Sequence, residues 1–248
     1  MNFPFRRQNR QKRGQHDHSW ITRLLRPEAA RTSPALFTYH LRKELEQEGC
    51  PLCRMVRESE EHWGWTLLYE FTGDPEIHER FAKAGGLCME HGELIRKIVE
   101  SRQLVTPSGV ARLYETVTKE FLRNLSAPRS ENQDCPLCRY RRQAEERYAY
   151  FLANTLLDPV WQEAFTHSDG LCMTHFALVK QHAKREVAEF LVNDQSRRLR
   201  ELLHLLQELQ RKQRYDVPEP LTPEESASWR EALWRFGGMH FDHLLVHD

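Results

Sequence analysis

The chain has 248 residues, 36 Lys+Arg against 36 Asp+Glu, 13 His and six Cys. That length suffices for a buried core in one large or two small domains, and the balanced charge excludes a wholly basic nucleic-acid binder. No stretch approaches the ~20 apolar residues of a membrane span, and the polar opening MNFPFRRQNRQKRGQ holds no secretory apolar segment. A cytoplasmic location is therefore expected, where thiols stay reduced. The mean hydropathy of −0.72 and the 29% charged content suit a water-exposed helical protein.

Residues 1–33 read as a basic arm. Eight basic residues stand against Asp17 and Glu28 among the first 31, so neutrality hides a strong asymmetry. Such an arm suits nucleic acid or anionic lipid. It carries no groove-reading motif, so a solvated tail is the preferred reading. From Pro34 the pattern turns helical: Leu36, Phe37, His40, Leu41 and Leu45 recur at three- and four-residue spacing, and Gly49 supplies a stop. Helices are then predicted from Pro51 to about Thr72, over 75–84, to about Arg102, and over 107–125. The segment 124–134 is a polar linker. Residues 183–214 predict one long helix with an apolar seam at Val192, Leu199, Leu202, Leu206 and Leu209. Two good heptad steps are too few for a coiled coil, so the seam is read as packing on its own domain, with a homodimer contact as the alternative. After the connector 217–223, Thr222-Pro223-Glu224-Glu225 has the look of a helix start, and Trp229, Leu233 and Phe236 give that helix an apolar side. No strand-like alternation of any length occurs. The fold class read from this is all-α.

The middle of the chain repeats itself. Cys135-Pro136-Leu137-Cys138-Arg139 restates Cys50-Pro51-Leu52-Cys53-Arg54, and Gly170-Leu171-Cys172-Met173-Thr174-His175 restates Gly86-Leu87-Cys88-Met89-Glu90-His91. One deletion aligns 50–91 with 135–175, and 18 of the 41 aligned positions are identical, among them Arg57/Arg142, Glu60/Glu145, Glu61/Glu146 and Asp74/Asp158. The chain is accordingly divided into an arm (1–33), a first zinc-binding repeat (34–126), a second repeat with the long helix (127–214), and a connector, last helix and His-rich tail (215–248).

All six cysteines fall in the repeated motif. Each repeat offers Cys-x-x-Cys and then Cys-x-x-His, giving two Cys3His sets: Cys50, Cys53, Cys88, His91 and Cys135, Cys138, Cys172, His175. Structural zinc takes four tetrahedral N/S ligands, and Cys3His is a usual set. Two Zn2+ per chain are expected; an iron–sulfur site and a dithiol redox pair are the alternatives. Pro51 and Pro136 fit first helical positions, so helix N-termini would face the thiolates. Gly86 and Gly170 fit tight turns that call for positive φ. Arg54, Arg57, Arg139 and Arg142 are placed either to offset the charge of the centres or as solvated surface.

The doubled CPLC…GLCMxH pattern, the segment KQRYDVPEPLTPEESASW and the Trp-rich helix after it resemble an uncharacterised bacterial family, a domain of unknown function with paired CPxC and GLCxxH motifs. The resemblance covers about residues 34–238 and keeps all eight ligand positions. It implies the fold and the metal centres, and no activity.

Other candidates are weaker. Glu60, Glu61, Glu145 and Glu146 could do acid–base work, but a solvated or salt-bridged face is the preferred reading. Trp63 and Trp65 align with Tyr148 and Tyr150, and packing is preferred over ligand stacking. His240, His243 and His247 would share a helical face in the tail. Phosphate loops, nucleophile elbows and haem motifs are absent from the sequence. The function expected is that of a zinc-binding interaction module for a protein partner, without catalysis. The alternatives are a metal- or redox-responsive regulator whose arm meets nucleic acid, and an enzyme with a pocket between the repeats.

Overall fold

A computed structural model describes residues 34–101, 104–125 and 134–238. The basic arm and the histidines of the tail lie outside the described residues. Among these, ten α-helices and no strand occur, as the periodicity predicts: α1 (Pro34–Leu45), α2 (Pro51–Glu70), α3 (Pro75–Ala84), α4 (Met89–Ser101), α5 (Pro107–Arg123), α6 (Pro136–Thr155), α7 (Pro159–His167), α8 (Met173–His182), α9 (Arg185–Lys212) and α10 (Pro223–Gly237).

The helix starts follow from local chemistry. Proline opens α2, α3, α5, α6, α7 and α10, where its missing N–H costs nothing and its φ is already helical. Asp74 and Asp158, equivalent in the two repeats, cap α3 and α7 by accepting from backbone N–H groups. Thr222 and Glu225 close a reciprocal capping box at α10.

Each repeat supplies a long helix (α2, α6), a short one (α3, α7) and the helix of the Cys-x-x-His motif (α4, α8). Within a repeat the long helix packs on the motif helix, α2 on α4 and α6 on α8. Gly64 lets α4 approach α2 closely, because a Cβ there would stand 2.9 Å from Ile98 Cδ1. Between repeats α2 packs on α6, which brings Ser59 Oγ to 2.6 Å from the Tyr140 hydroxyl and sets the Trp63 ring, tilted by 35°, with its centroid 5.8 Å from that of Tyr140. Phe37, Leu41 and Leu45 of α1 join Leu52, Leu152, Leu156, Phe165, Val187 and Leu191 in one core. The same core contains Cys50, Cys53 and Cys172.

Two sequence expectations are corrected here. The buried stripe of α9 runs through Val187, Leu191, Asp194, Gln195, Arg198 and Leu202, while Val192 of the expected seam is exposed. Arg198 and Asp194 pair inside (2.6 Å), so polar residues occupy positions where apolar ones were sought. The apolar side of α10 faces outward: Trp229, Leu233 and Phe236 are 47%, 65% and 59% exposed. Its inward face is Glu225, Ser228 and Arg235, with Glu225 salt-bridged to Lys212 (2.8 Å).

Candidate metal centres

All eight expected ligands converge, but in exchanged sets. Cys50, Cys53, Cys172 and His175 form one cluster, and Cys88, His91, Cys135 and Cys138 the other. Each Cys-x-x-Cys therefore joins the Cys-x-x-His of the opposite repeat, and the within-repeat sets expected from the sequence do not form. The reason lies in packing. The start of α6 lies against the middle of α2, where Arg141 meets Glu60, and this puts Cys135 and Cys138 beside His91 rather than His175.

The local geometry fits a single ion. At a metal–sulfur distance near 2.3 Å, a tetrahedron has sulfur–sulfur edges of about 3.8 Å and sulfur–nitrogen edges of about 3.6 Å. Cys53 Sγ and Cys172 Sγ are 3.7 Å apart, as are Cys88 Sγ and Cys138 Sγ. His175 Nδ1 lies 3.5, 3.3 and 3.3 Å from Cys50, Cys53 and Cys172. His91 Nδ1 lies 3.1, 3.5 and 3.3 Å from Cys88, Cys135 and Cys138. Both histidines thus present Nδ1. No ligand position is left over for water or substrate.

The backbone supports this arrangement. Cys50, Cys135 and Cys172 stand at the N-cap positions of α2, α6 and α8, so helix N-termini face the thiolates and favour their charge. Gly86 (φ 94°) and Gly170 (φ 76°) make the turns before the Cys-x-x-His motifs in the left-handed region, as expected.

Proton sharing within the clusters is strong. Burial pushes the Cys135 thiol up, but the hydrogen bonds from His91 and backbone groups prevail and bring it down to about 6. Burial alone would lower His91, yet Cys135 and Glu60 hold it up to about 10. Cys138 is pushed up to about 12 by burial and by the neighbouring Cys135 charge. In the other cluster burial raises Cys50, and the hydrogen bonds from Cys172, Cys53 and His175 carry it well below its ordinary value instead. His175 is held up to about 10, against its burial, by Cys172 and Cys50.

The residues around the ligands follow expectation only in part. Of the two readings of the repeated glutamates, the salt-bridged one holds for Glu60, which is buried, not solvated: it is 2% exposed and accepts from His91 Nε2 (2.8 Å) and Arg141 Nε (2.6 Å). Arg141 also reaches Glu90. Arg141 therefore lies over this centre, and the arginines picked out by the repeat do other work. Arg54 binds Glu44 (2.6 Å) and carbonyls at the end of α1, Arg57 pairs with Glu61, Arg142 with Asp134, and Arg139 is exposed. Glu146 pairs with His182.

Sequence reasoning missed the residues that hold the two motif loops. Arg198 donates to the carbonyls of Ser168 (2.5 Å), Phe165 and Thr166 (both 3.1 Å), and Arg235 donates to that of Asp169 (3.2 Å). Asp169 in turn accepts from Gly49 N (2.6 Å), tying the loop before Cys172 to the loop before Cys50. In the first repeat Leu87 N donates to the Tyr114 hydroxyl (3.2 Å). Helices α9 and α10 thus brace one loop and α5 the other. Arg198, Arg235 and Tyr114 carry no sequence signal beyond being polar side chains on helices that must also bury a face.

A cavity of about 590 Å3 lies in the first repeat. That cavity is lined by Leu87, Ile95, Val99, Val110 and Tyr114 of α4, α5 and the preceding loop, together with Arg96 and Glu100. Among the described residues no helix is long and apolar enough to cross a membrane. No family model, curated protein or solved structure matches this chain.

Proposed function

We propose that the protein is a zinc-dependent helical scaffold whose two ions fasten its repeats to each other, and that it works by presenting helical faces to a protein partner rather than by chemistry at the metal. One observation carries this reading: both ligand sets are closed Cys3His shells, each shared between the repeats. Catalytic zinc keeps an open position, whereas structural zinc does not. Thiolate and imidazole ligands suit zinc. An iron–sulfur cluster would interpose several irons and bridging sulfides between its ligands, a spread that sulfurs 3.7 Å apart do not have.

Metal analysis of the purified full-length chain is expected to return two zinc per molecule. Iron with visible absorbance would overturn the zinc assignment. Removing the metal with a chelator is expected to lower the melting temperature sharply, because the binding free energy of a structural ion is folding free energy. An unchanged melting temperature would remove the structural role.

A second reading, a metal- or redox-responsive regulator, is favoured by one difference between the centres. Cys88 and Cys138 are half-buried, while all four ligands of the other centre are buried. Exposed thiolates react first. Mild peroxide would then release one zinc per chain reversibly; release of both together would speak against this reading.

A further inference from the structure

The two centres differ at one atom. His91 turns Nδ1 to the sulfurs and Nε2 onto Glu60 at 2.8 Å. His175 turns Nδ1 to its sulfurs in the same way, is 4% exposed, and its Nε2 has no hydrogen-bond partner. A histidine that binds an ion through Nδ1 keeps its proton on Nε2. That N–H then wants an acceptor, usually a carboxylate or carbonyl that fixes the ring.

The repeat supplies such an acceptor. Glu145 stands ten residues after Cys135, as Glu60 stands ten after Cys50. It lies on α6, which packs against the helix carrying His175, as α2 packs against the helix carrying His91. Glu145 is half-buried and interacts with the His175 charge and with Arg141, while burial pushes its carboxyl above the usual range. No hydrogen bond or ion pair engages its carboxylate among the described residues. We propose that Glu145 is the positioning residue of the second centre, accepting from His175 Nε2 when an ion is held by Cys50, Cys53, Cys172 and His175. Each histidine is then oriented by the long helix of its own repeat while sharing its ion with the cysteines of the other. Arg141, bonded to Glu60 at 2.6 Å, also acts electrostatically on Glu145.

The inference rests on the metal reading, and one experiment separates the two. Full-length protein with 15N-labelled histidine is loaded with zinc and its Nε2–H resonances are recorded. Wild type is expected to show two slowly exchanging, downfield Nε2–H protons, from His91 and His175. Glu60→Ala should speed exchange of the first and Glu145→Ala that of the second. Competition with a chromophoric chelator should show one of the two zincs bound about 10- to 100-fold more weakly in Glu145→Ala, with most of the loss restored in Glu145→Gln, whose amide oxygen still accepts. The proposal is overturned if Glu145→Ala binds two zincs with wild-type affinity and an unchanged His175 signal. Should Glu145→Ala not fold, Glu145→Gln decides alone: its His175 Nε2–H is expected to move upfield, and an unmoved signal overturns the proposal. Wild-type protein that binds no zinc would instead overturn the metal reading itself, and this inference with it.

Discussion

Gly170 sits at φ +76°, and a Cβ there would stand 2.7 Å from Arg198 Nε. The residue is required twice over, by its backbone and by the arginine that braces the loop into Cys172. Gly170→Ala should therefore cost about 1–3 kcal/mol from backbone strain, with more from the displaced arginine. Gly92, inside α4, meets nothing within 4 Å, and Gly92→Ala should stabilise by about 0.5–1 kcal/mol. Denaturation midpoints of the zinc-loaded variants check both, and the reverse order would contradict the account. A similar contrast holds between adjacent glutamates. Glu60→Ala leaves a buried His91 and a half-paired Arg141, and should cost about 3–5 kcal/mol. Glu61→Ala takes the 3.3 Å partner from Arg57, and because Arg57 is itself buried it should cost about 1–3 kcal/mol. The ligands themselves set a pH dependence. In the metal-free protein His91 (about 10) and Cys138 (about 12) hold protons at neutral pH. An ion binding there must displace at least these two, so its affinity should rise with pH, by a hundredfold or more per unit between about pH 6.5 and 8. Competition titrations at several pH values measure the slope, and a flat profile would refute it.

Between helices, the repeat told part of the story and concealed the rest. Helix boundaries were readable because Pro, Asp and Gly punctuate them, and all eight ligands were readable because Cys-x-x-Cys and Cys-x-x-His restrict what a turn can present. Their pairing was not. Two identical motif pairs can close their shells within or across repeats, and spacing is the same for both. The packing of α2 on α6 decides it, through contacts such as Ser59 with Tyr140 that the alignment does not mark. The role of Glu60 was hidden for the same reason, since its partners His91 and Arg141 are distant in sequence. On α9 and α10 apolar periodicity misled, because buried Asp194 and Arg198 pair with each other, Glu225 pairs with Lys212, and Arg235 binds a nearby carbonyl. Double substitutions test the pairing directly. Cys50→Ser with Cys172→Ser strikes one centre and should leave one zinc bound. Cys50→Ser with Cys88→Ser strikes both and should leave none. Within-repeat pairing would give the opposite result.

The exchange also changes what holds the molecule together. Were each ion inside one repeat, it would stabilise that repeat alone, and the two would meet only through helix packing. In the scaffold proposed above each ion is shared, so the repeats would be joined by α2 on α6 and by two coordination shells at once. The covalent chain between them becomes dispensable for cohesion. Residues 1–127 and 128–248, expressed together as separate chains, should therefore assemble and copurify with two zinc per pair. A chelator should then part them, since each fragment keeps only halves of two ligand sets and loses the free energy of both ions. The effect should be steep in zinc concentration, because two ions bind per assembly event. Size-exclusion chromatography with metal analysis of each fraction follows it. Fragments that each retain one zinc and elute apart would show closed repeats, and would remove the cross-repeat shells on which the scaffold reading depends.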